Sequence, residues 1–124
     1  MESPYKGKVG LRRIWHAFRY SLAGLQAAYQ NEDAFRQEVV LAAVLIPIAL
    51  LLPASLMGKA LMIGSVFLVL IVELLNSAVE AAVDRISLEN HQLAKRAKDI
   101  GSAAVLLSLI NLGVIWALML IRLE

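Results

Sequence analysis

The sequence contains no cysteine, which excludes a disulfide framework, a thiolate metal site and a cysteine nucleophile. It also contains no G-x-x-x-x-G-K-[ST] run, so a P-loop is excluded. Its two histidines, His16 and His91, are far apart and solitary, and they give no support for a zinc site. Any chemistry must therefore come from carboxylates, amides, hydroxyls and basic side chains.

Charge is missing from three long stretches, at positions 39–58, 60–72 and 100–121. Sixty per cent of the 124 residues are hydrophobic, and the mean hydropathy is +0.70. A soluble domain this small could not bury so much apolar surface, whereas about 20 apolar residues cross a bilayer as a helix. The sequence predicts an all-α membrane protein forming one domain over 1–124, with spans at about 36–53, 59–84 and 97–121.

A different pattern precedes the first span, over positions of about 9–30. At about 100° per residue, its large apolar side chains fall within an arc of roughly 100°, and its arginines lie outside that arc. We expect an amphipathic helix lying on the membrane surface. A helix packed on other protein remains the alternative. The apolar side chains are Leu11, Ile14, Trp15, Phe18, Leu22, Leu25 and Tyr29.

Lysine and arginine are distributed unevenly around the spans. Ten lie before the first span or between the second and third spans, and only Lys59 and Arg122 lie on the other side. Positively charged loops favour the cytoplasm. The N-terminus and the loop at 85–99 are therefore expected in the cytoplasm, and the C-terminus on the periplasmic side.

Polar side chains interrupt the second span. Glu73, Asn76, Glu80 and Asp84 are spaced i, i+3, i+7 and i+11, within an arc of roughly 80°. A carboxylate at a helix centre costs about 2.5–3.5 kcal/mol on insertion scales, so this acidic stripe indicates function. Polar contacts between helices or subunits are the alternative. Since three helices enclose little space, Glu73 and Asn76 should face lipid in a lone chain, which predicts self-association.

Further polar groups are expected at the same boundary of the membrane. The run NEDAFRQE at Asn31–Glu38 precedes the first span, and AKDIGSAAV at Ala97–Val105 opens the third with Lys98 and Asp99. Two carboxylates with phosphate oxygens suit Mg²⁺, and a lysine suits polyphosphate. A deeper carboxylate suits a general base. The set fits phosphoryl transfer to an acceptor in the membrane, and equally a cation channel or a proton-coupled carrier.

Four blocks of the sequence resemble the small bacterial diacylglycerol kinase family, which also includes undecaprenol kinases. The blocks are R-I-x-x-A-x-x-Y-S-x-x-G-L at Arg13–Leu25, N-E-x-A-F-R-Q-E at Asn31–Glu38, E-x-L-N-S-A-x-E-A-x-V-D-R at Glu73–Arg85 and A-K-D-x-G-S-A-A-V at Ala97–Val105. The resemblance implies a homotrimer in the bacterial inner membrane, with three membrane helices and one surface helix per subunit. It also implies transfer of the γ-phosphate of MgATP to a lipid hydroxyl.

Diacylglycerol is the expected acceptor, giving phosphatidic acid. An undecaprenol kinase is the alternative enzyme, and a trimeric membrane scaffold or cation pathway is the non-enzymatic alternative. No nucleic-acid partner is expected. The resemblance also implies that each site lies between subunits. It would join the acidic stripe of one subunit to the surface helix or the N-E-x-A-F-R segment of a neighbour.

The resemblance further implies a role for individual residues. Glu73 matches the proposed general base, and Asn76 matches the polar residue beside it. Glu32 and Glu80 match the carboxylates that bind Mg²⁺. Contacts to ATP are expected from Arg13, Tyr20, Glu32, Glu80, Asp84, Glu89, Asn90, His91, Lys98 and Asp99. Contacts to the lipid substrate are expected from Arg13, Ala17, Ser21, Ala34, Glu38, Glu73, Ser102 and Trp116.

Overall fold

The computed structural model describes residues 6–86 and 91–122, and these form four helices. Three of the helices are long and apolar enough to cross a membrane, over Asp33–Leu51, Leu56–Ile86 and Gln92–Ile121. The prediction of an all-helical chain with three such segments is confirmed. The ATP contacts expected at Glu89, Asn90 and the side chain of His91 lie outside the described residues. The helices are α1 (Lys6–Asn31), α2 (Asp33–Leu51), α3 (Leu56–Ile86) and α4 (His91–Arg122).

The junction between α1 and α2 is a single residue, Glu32, whose backbone is extended (φ −118°, ψ 109°). The Arg36 guanidinium donates hydrogen bonds to the backbone oxygens of Tyr29 (2.9 Å) and Gln30 (3.0 Å), and also pairs with Asp33. The last carbonyls of a helix lack partners within the helix, so Arg36 satisfies two of them. These bonds hold the two helices together around Glu32.

The connection between α2 and α3 covers residues 52–55 and includes Pro53. Leu52 is extended (φ −68°, ψ 148°), as steric contact with a following proline favours. Lys59 Nζ donates to the backbone oxygen of Leu50 at 2.8 Å. Ser55 Oγ accepts a 3.0 Å bond from a backbone N–H in the first turn of α3, as an N-capping residue does. Both helix ends are thus capped by side chains.

The centre of the fold is α3, which packs against both α2 and α4. Trp116 of α4 donates its indole N–H to the Met62 backbone oxygen and to Ser65 Oγ, both at 3.2 Å and both buried. A buried indole needs such a partner. The core at this end of the bundle consists of Ala42, Ala49, Met62, Val66 and Trp116.

Candidate active site

The side chains of the acidic stripe of α3 become more exposed from Glu73 towards Asp84. Glu73 and Asn76 are 5% and 9% exposed, Glu80 is half-buried and Asp84 is exposed. The expectation that Glu73 and Asn76 face lipid in a lone chain is wrong, because the chain's own helices already cover them. The exposure of these two residues therefore gives no argument for self-association.

The length of α3 places the stripe near one end of the membrane core. With 31 residues, α3 is about 46 Å long, which exceeds a hydrocarbon thickness of about 30 Å. Glu73 lies about 26 Å along the helix from Leu56. Glu80 and Asp84 lie further on. One end of the stripe can thus lie in lipid and the other in water. This position suits a reaction between a membrane substrate and a soluble one.

Three other carboxylates of the same chain lie within electrostatic range of Glu73. Its charge interacts with those of Glu80 and Glu32, and the charge of Glu38 interacts with that of Glu73. Within the described part of the chain, Glu38 Oε2 is buried and has no hydrogen-bond partner. Carboxylates within electrostatic range of one another repel, and a bound cation or proton reduces that repulsion. Helix α2 and the junction residue Glu32 therefore complete the acidic stripe of α3.

The carboxylates of the site could bind a hard divalent cation only together with oxygen atoms of a bound substrate. No group of three histidine, aspartate or glutamate side chains is arranged to hold a metal ion in residues 6–86 and 91–122. Glu32 and Glu80 could supply two oxygen ligands. Mg²⁺ commonly binds one or two carboxylates together with substrate phosphates. The arrangement therefore suits a metal ion that arrives with a nucleotide.

Asn76 lies between the buried and the open ends of the stripe. Its Nδ2 lies 3.4 Å from Glu80 Oε1, one turn further along α3, and its other side faces α4. Among the described residues, none donates a hydrogen bond to the buried Oδ1 of Asn76. Asn76 is thus held beside Glu73 and in reach of Glu80.

The first turns of α4 bring basic side chains to the open end of the stripe. Lys98 Nζ lies 2.5 Å from Asp84 Oδ1, and Lys95 Nζ lies 2.7 Å from Asp99 Oδ2. Lys98 and Asp99, both expected to contact ATP, therefore form ion pairs with Asp84 and Lys95 respectively. Lys98 and Asp84 are both substantially exposed, at 43% and 63%, so Lys98 remains accessible to a phosphate.

Three residues with predicted ligand contacts lie together on one side of α1. Arg13, Ala17 and Tyr20 line a shallow groove of about 430 Å³ on this helix. Arg13 precedes Glu32 by 19 positions, and a helix of that length extends about 28 Å. Arg13 is therefore far along α1 from the junction residue Glu32.

The residues expected to contact lipid are spread along the molecule. Ser21, Ala34 and Ser102 are exposed, and Ser21 borders a groove of about 500 Å³ between α1 and α3. Trp116 instead lies in the core, about 27 Å along α4 from Lys98. One chain does not bring Trp116 near the acids.

Two further residues border the site that the sequence analysis did not single out. Ser77, next to Asn76, has a buried hydroxyl without a hydrogen-bond partner in the described residues. Gly101 of α4 lies directly against the Asn76 amide. A glycine in the middle of an apolar helix is disfavoured, and that was the available signal for Gly101. Ser77 is a matching position of the block at Glu73–Arg85, and that match was the available signal for it.

Comparison with known proteins identifies the family of this chain. The family model for prokaryotic diacylglycerol kinase matches residues 19–120. The chain is 57% identical over 119 residues to a diacylglycerol kinase of Pseudomonas aeruginosa, covering 96% of this chain and 97% of the relative. It is 50% identical over 111 residues to that of Escherichia coli strain K12, covering 90% and 91%.

A more distant relative, a diacylglycerol kinase of Helicobacter pylori strain 26695, is 44% identical over 122 residues, covering 98% of this chain and 94% of the relative. The resemblance carried by the four sequence blocks is thereby confirmed over nearly the whole chain. This chain belongs to the prokaryotic diacylglycerol kinase family.

Proposed function

We propose that this protein transfers the γ-phosphate of ATP to the hydroxyl of diacylglycerol, giving phosphatidic acid and ADP, with Mg²⁺ as cofactor. The observation that carries the proposal is the convergence of Glu32, Glu38, Glu73 and Glu80 at the end of a membrane-length helix. The names of the relatives support the acceptor, since all three compared proteins are diacylglycerol kinases.

Glu73 is the general base in this proposal. Its carboxylate takes the proton from the lipid hydroxyl as the new O–P bond forms and the bond from Pγ to the bridging oxygen breaks, leaving ADP. Burial keeps bulk water away from Glu73, which limits hydrolysis of ATP. Asn76 orients the base and links it to Glu80.

Glu32 and Glu80 would hold Mg²⁺, which supplies neutralisation of the phosphate charge when bound. Lys98 is placed to hold a phosphate as a point charge. Asp84 and Asp99 complete the polar end of the site. ATP thus lies on the aqueous side of Glu73, and the lipid hydroxyl approaches from the bilayer.

We further propose that the working form is a homotrimer in the bacterial inner membrane, with the N-terminus cytoplasmic and α1 on the membrane surface. Arg13 and Tyr20 belong to the expected ATP site, but Arg13 lies about 28 Å along α1 from Glu32 in its own chain. If a neighbouring subunit places its α1 beside Glu32, Glu73 and Glu80, its Arg13 and Tyr20 can reach the ATP bound there. The active site is then shared between two chains.

The test is phosphate transfer by purified protein in mixed micelles. Labelled ATP is supplied with diacylglycerol or with undecaprenol, over a range of Mg²⁺ concentrations. We expect labelled phosphatidic acid and little product from undecaprenol. Transfer to undecaprenol alone would replace the acceptor, and transfer to neither would overturn the kinase function.

A further inference from the structure

Gly101 of α4 lies directly against the side-chain amide of Asn76. A Cβ atom added at Gly101 would stand 3.2 Å from Asn76 Cγ and would collide with Oδ1. Gly64 of α3 and Gly113 of α4 have nothing within 4 Å of the same position. Among these three helical glycines, only Gly101 is required by a close approach.

The Asn76 amide has little freedom to avoid such a collision. Asn76 is 9% exposed, and its Nδ2 already points towards Glu80. A side chain at Gly101 must therefore either rotate the amide away from Glu80 or push α4 away from α3. Rotation shifts the amide relative to Glu73, which lies one turn earlier on the same face, and separation of the helices removes the α4 backbone that packs against the amide.

We propose that Gly101 is a positioning residue for phosphoryl transfer. Because Gly101 has no side chain, the Asn76 amide fits between α3 and α4. The close packing then keeps its Nδ2 directed towards Glu80. The proposal rests on the function proposed above, because it assigns Gly101 an effect through Asn76. Gly101 itself touches neither substrate.

The first experiment compares Gly101→Ala with Gly64→Ala and Gly113→Ala in the same micelle assay. A misplacement of about 1 Å costs on the order of 10²-fold in rate, so Gly101→Ala should lower kcat roughly 10–100-fold. The KM values for MgATP and lipid should change little. The two control variants should keep wild-type kcat, since alanine is favoured over glycine in helices. Equal kcat in all three variants would overturn the proposal.

A double-mutant cycle tests whether the effect passes through Asn76. Gly101→Ala should lower the melting temperature of the wild-type protein in detergent, but not that of Asn76→Ala, whose shortened side chain leaves room for the new methyl group. An equal loss in both backgrounds would overturn the proposal. The melting cycle needs no activity. The melting cycle therefore tests the contact between Gly101 and Asn76 independently of the proposed kinase function. The kinase function itself is overturned only if the wild-type protein transfers no phosphate.

Discussion

Glu73 and Glu80 lie two turns apart on one face of α3, yet their surroundings differ. Glu73 is 5% exposed, whereas Glu80 is half-buried and borders the open end of the stripe. A carboxylate removed from water suits proton abstraction, and one near water suits a metal ion that arrives with nucleotide. The difference in depth therefore supports different roles for two chemically identical side chains.

Glu73→Gln should lower kcat by about 10²–10⁴-fold, because an amide cannot accept the hydroxyl proton. Nucleotide binding should remain largely intact, since Glu73 lies deeper than the expected phosphate position. Turnover and equilibrium nucleotide binding are the two measurements. Asp33→Asn, an acid-to-amide change at an exposed position, is the matched control. Near-normal turnover in Glu73→Gln would show that Glu73 is structural.

Glu32→Ala and Glu80→Ala should each raise the Mg²⁺ concentration needed for half-maximal activity. Each change removes an oxygen ligand from a hard cation. Titrating Mg²⁺ at fixed ATP measures the shift, and excess Mg²⁺ should restore part of the activity. An unchanged Mg²⁺ dependence in both variants contradicts the metal assignment.

Helical periodicity was sufficient to predict the acidic stripe, because residues at i, i+3, i+7 and i+11 share a face whatever surrounds the helix. It could not predict the burial of Glu73 or the contact between Asn76 and Gly101. The burial and the contact both depend on how closely α4 packs against α3. The distance between two helices cannot be predicted from the local sequence of either. The lone chain consequently covers side chains that were expected to face lipid.

At the scale of elements, α3 and α4 form the antiparallel pair that carries most of the site. Hydropathy predicts the apolar length of these helices, but not where they begin. Helix α4 begins at His91, ahead of the apolar run. Its first two turns are polar, so hydropathy does not predict them. Those polar turns place Lys95 and Lys98 on a rigid helix rather than on a loop.

Lys98→Ala should raise the KM for MgATP while the melting temperature stays close to that of the wild-type protein. The pair with Asp84 is largely exposed, and exposed ion pairs contribute little stability. Lys95→Ala is the matched control, since Lys95 also pairs with an aspartate on an exposed face of α4. An equal rise in KM for both variants would mean that neither lysine has a specific role.

Trp116→Phe tests whether this side chain serves the core or the lipid site. The change removes an indole N–H that bonds to Met62 and Ser65, and a lost hydrogen bond of this kind costs about 0.5–1.5 kcal/mol. We expect a lower melting temperature and an unchanged KM for diacylglycerol. A raised KM at unchanged stability would instead support the lipid contact implied by the family resemblance.

At the scale of the whole molecule, the chain provides the acids of a site but not all of its expected partners. Glu32 and Glu73 lie within electrostatic range in one chain. The N-E-x-A-F-R segment of the same chain can therefore contribute to the acidic stripe. We propose that a neighbouring subunit supplies Arg13, which lies about 28 Å along α1 from Glu32 in its own chain.

The central claim is that one chain supplies all the acids and another supplies α1. Turnover after co-refolding pairs of weakly active variants in mixed trimers tests it directly. Glu73→Gln mixed with Arg13→Ala should recover partial activity, because some sites then receive an intact cluster and an intact α1. Glu73→Gln mixed with Glu32→Ala should recover none, because every cluster carries a defect. Recovery in the second mixture, or none in the first, would contradict the account.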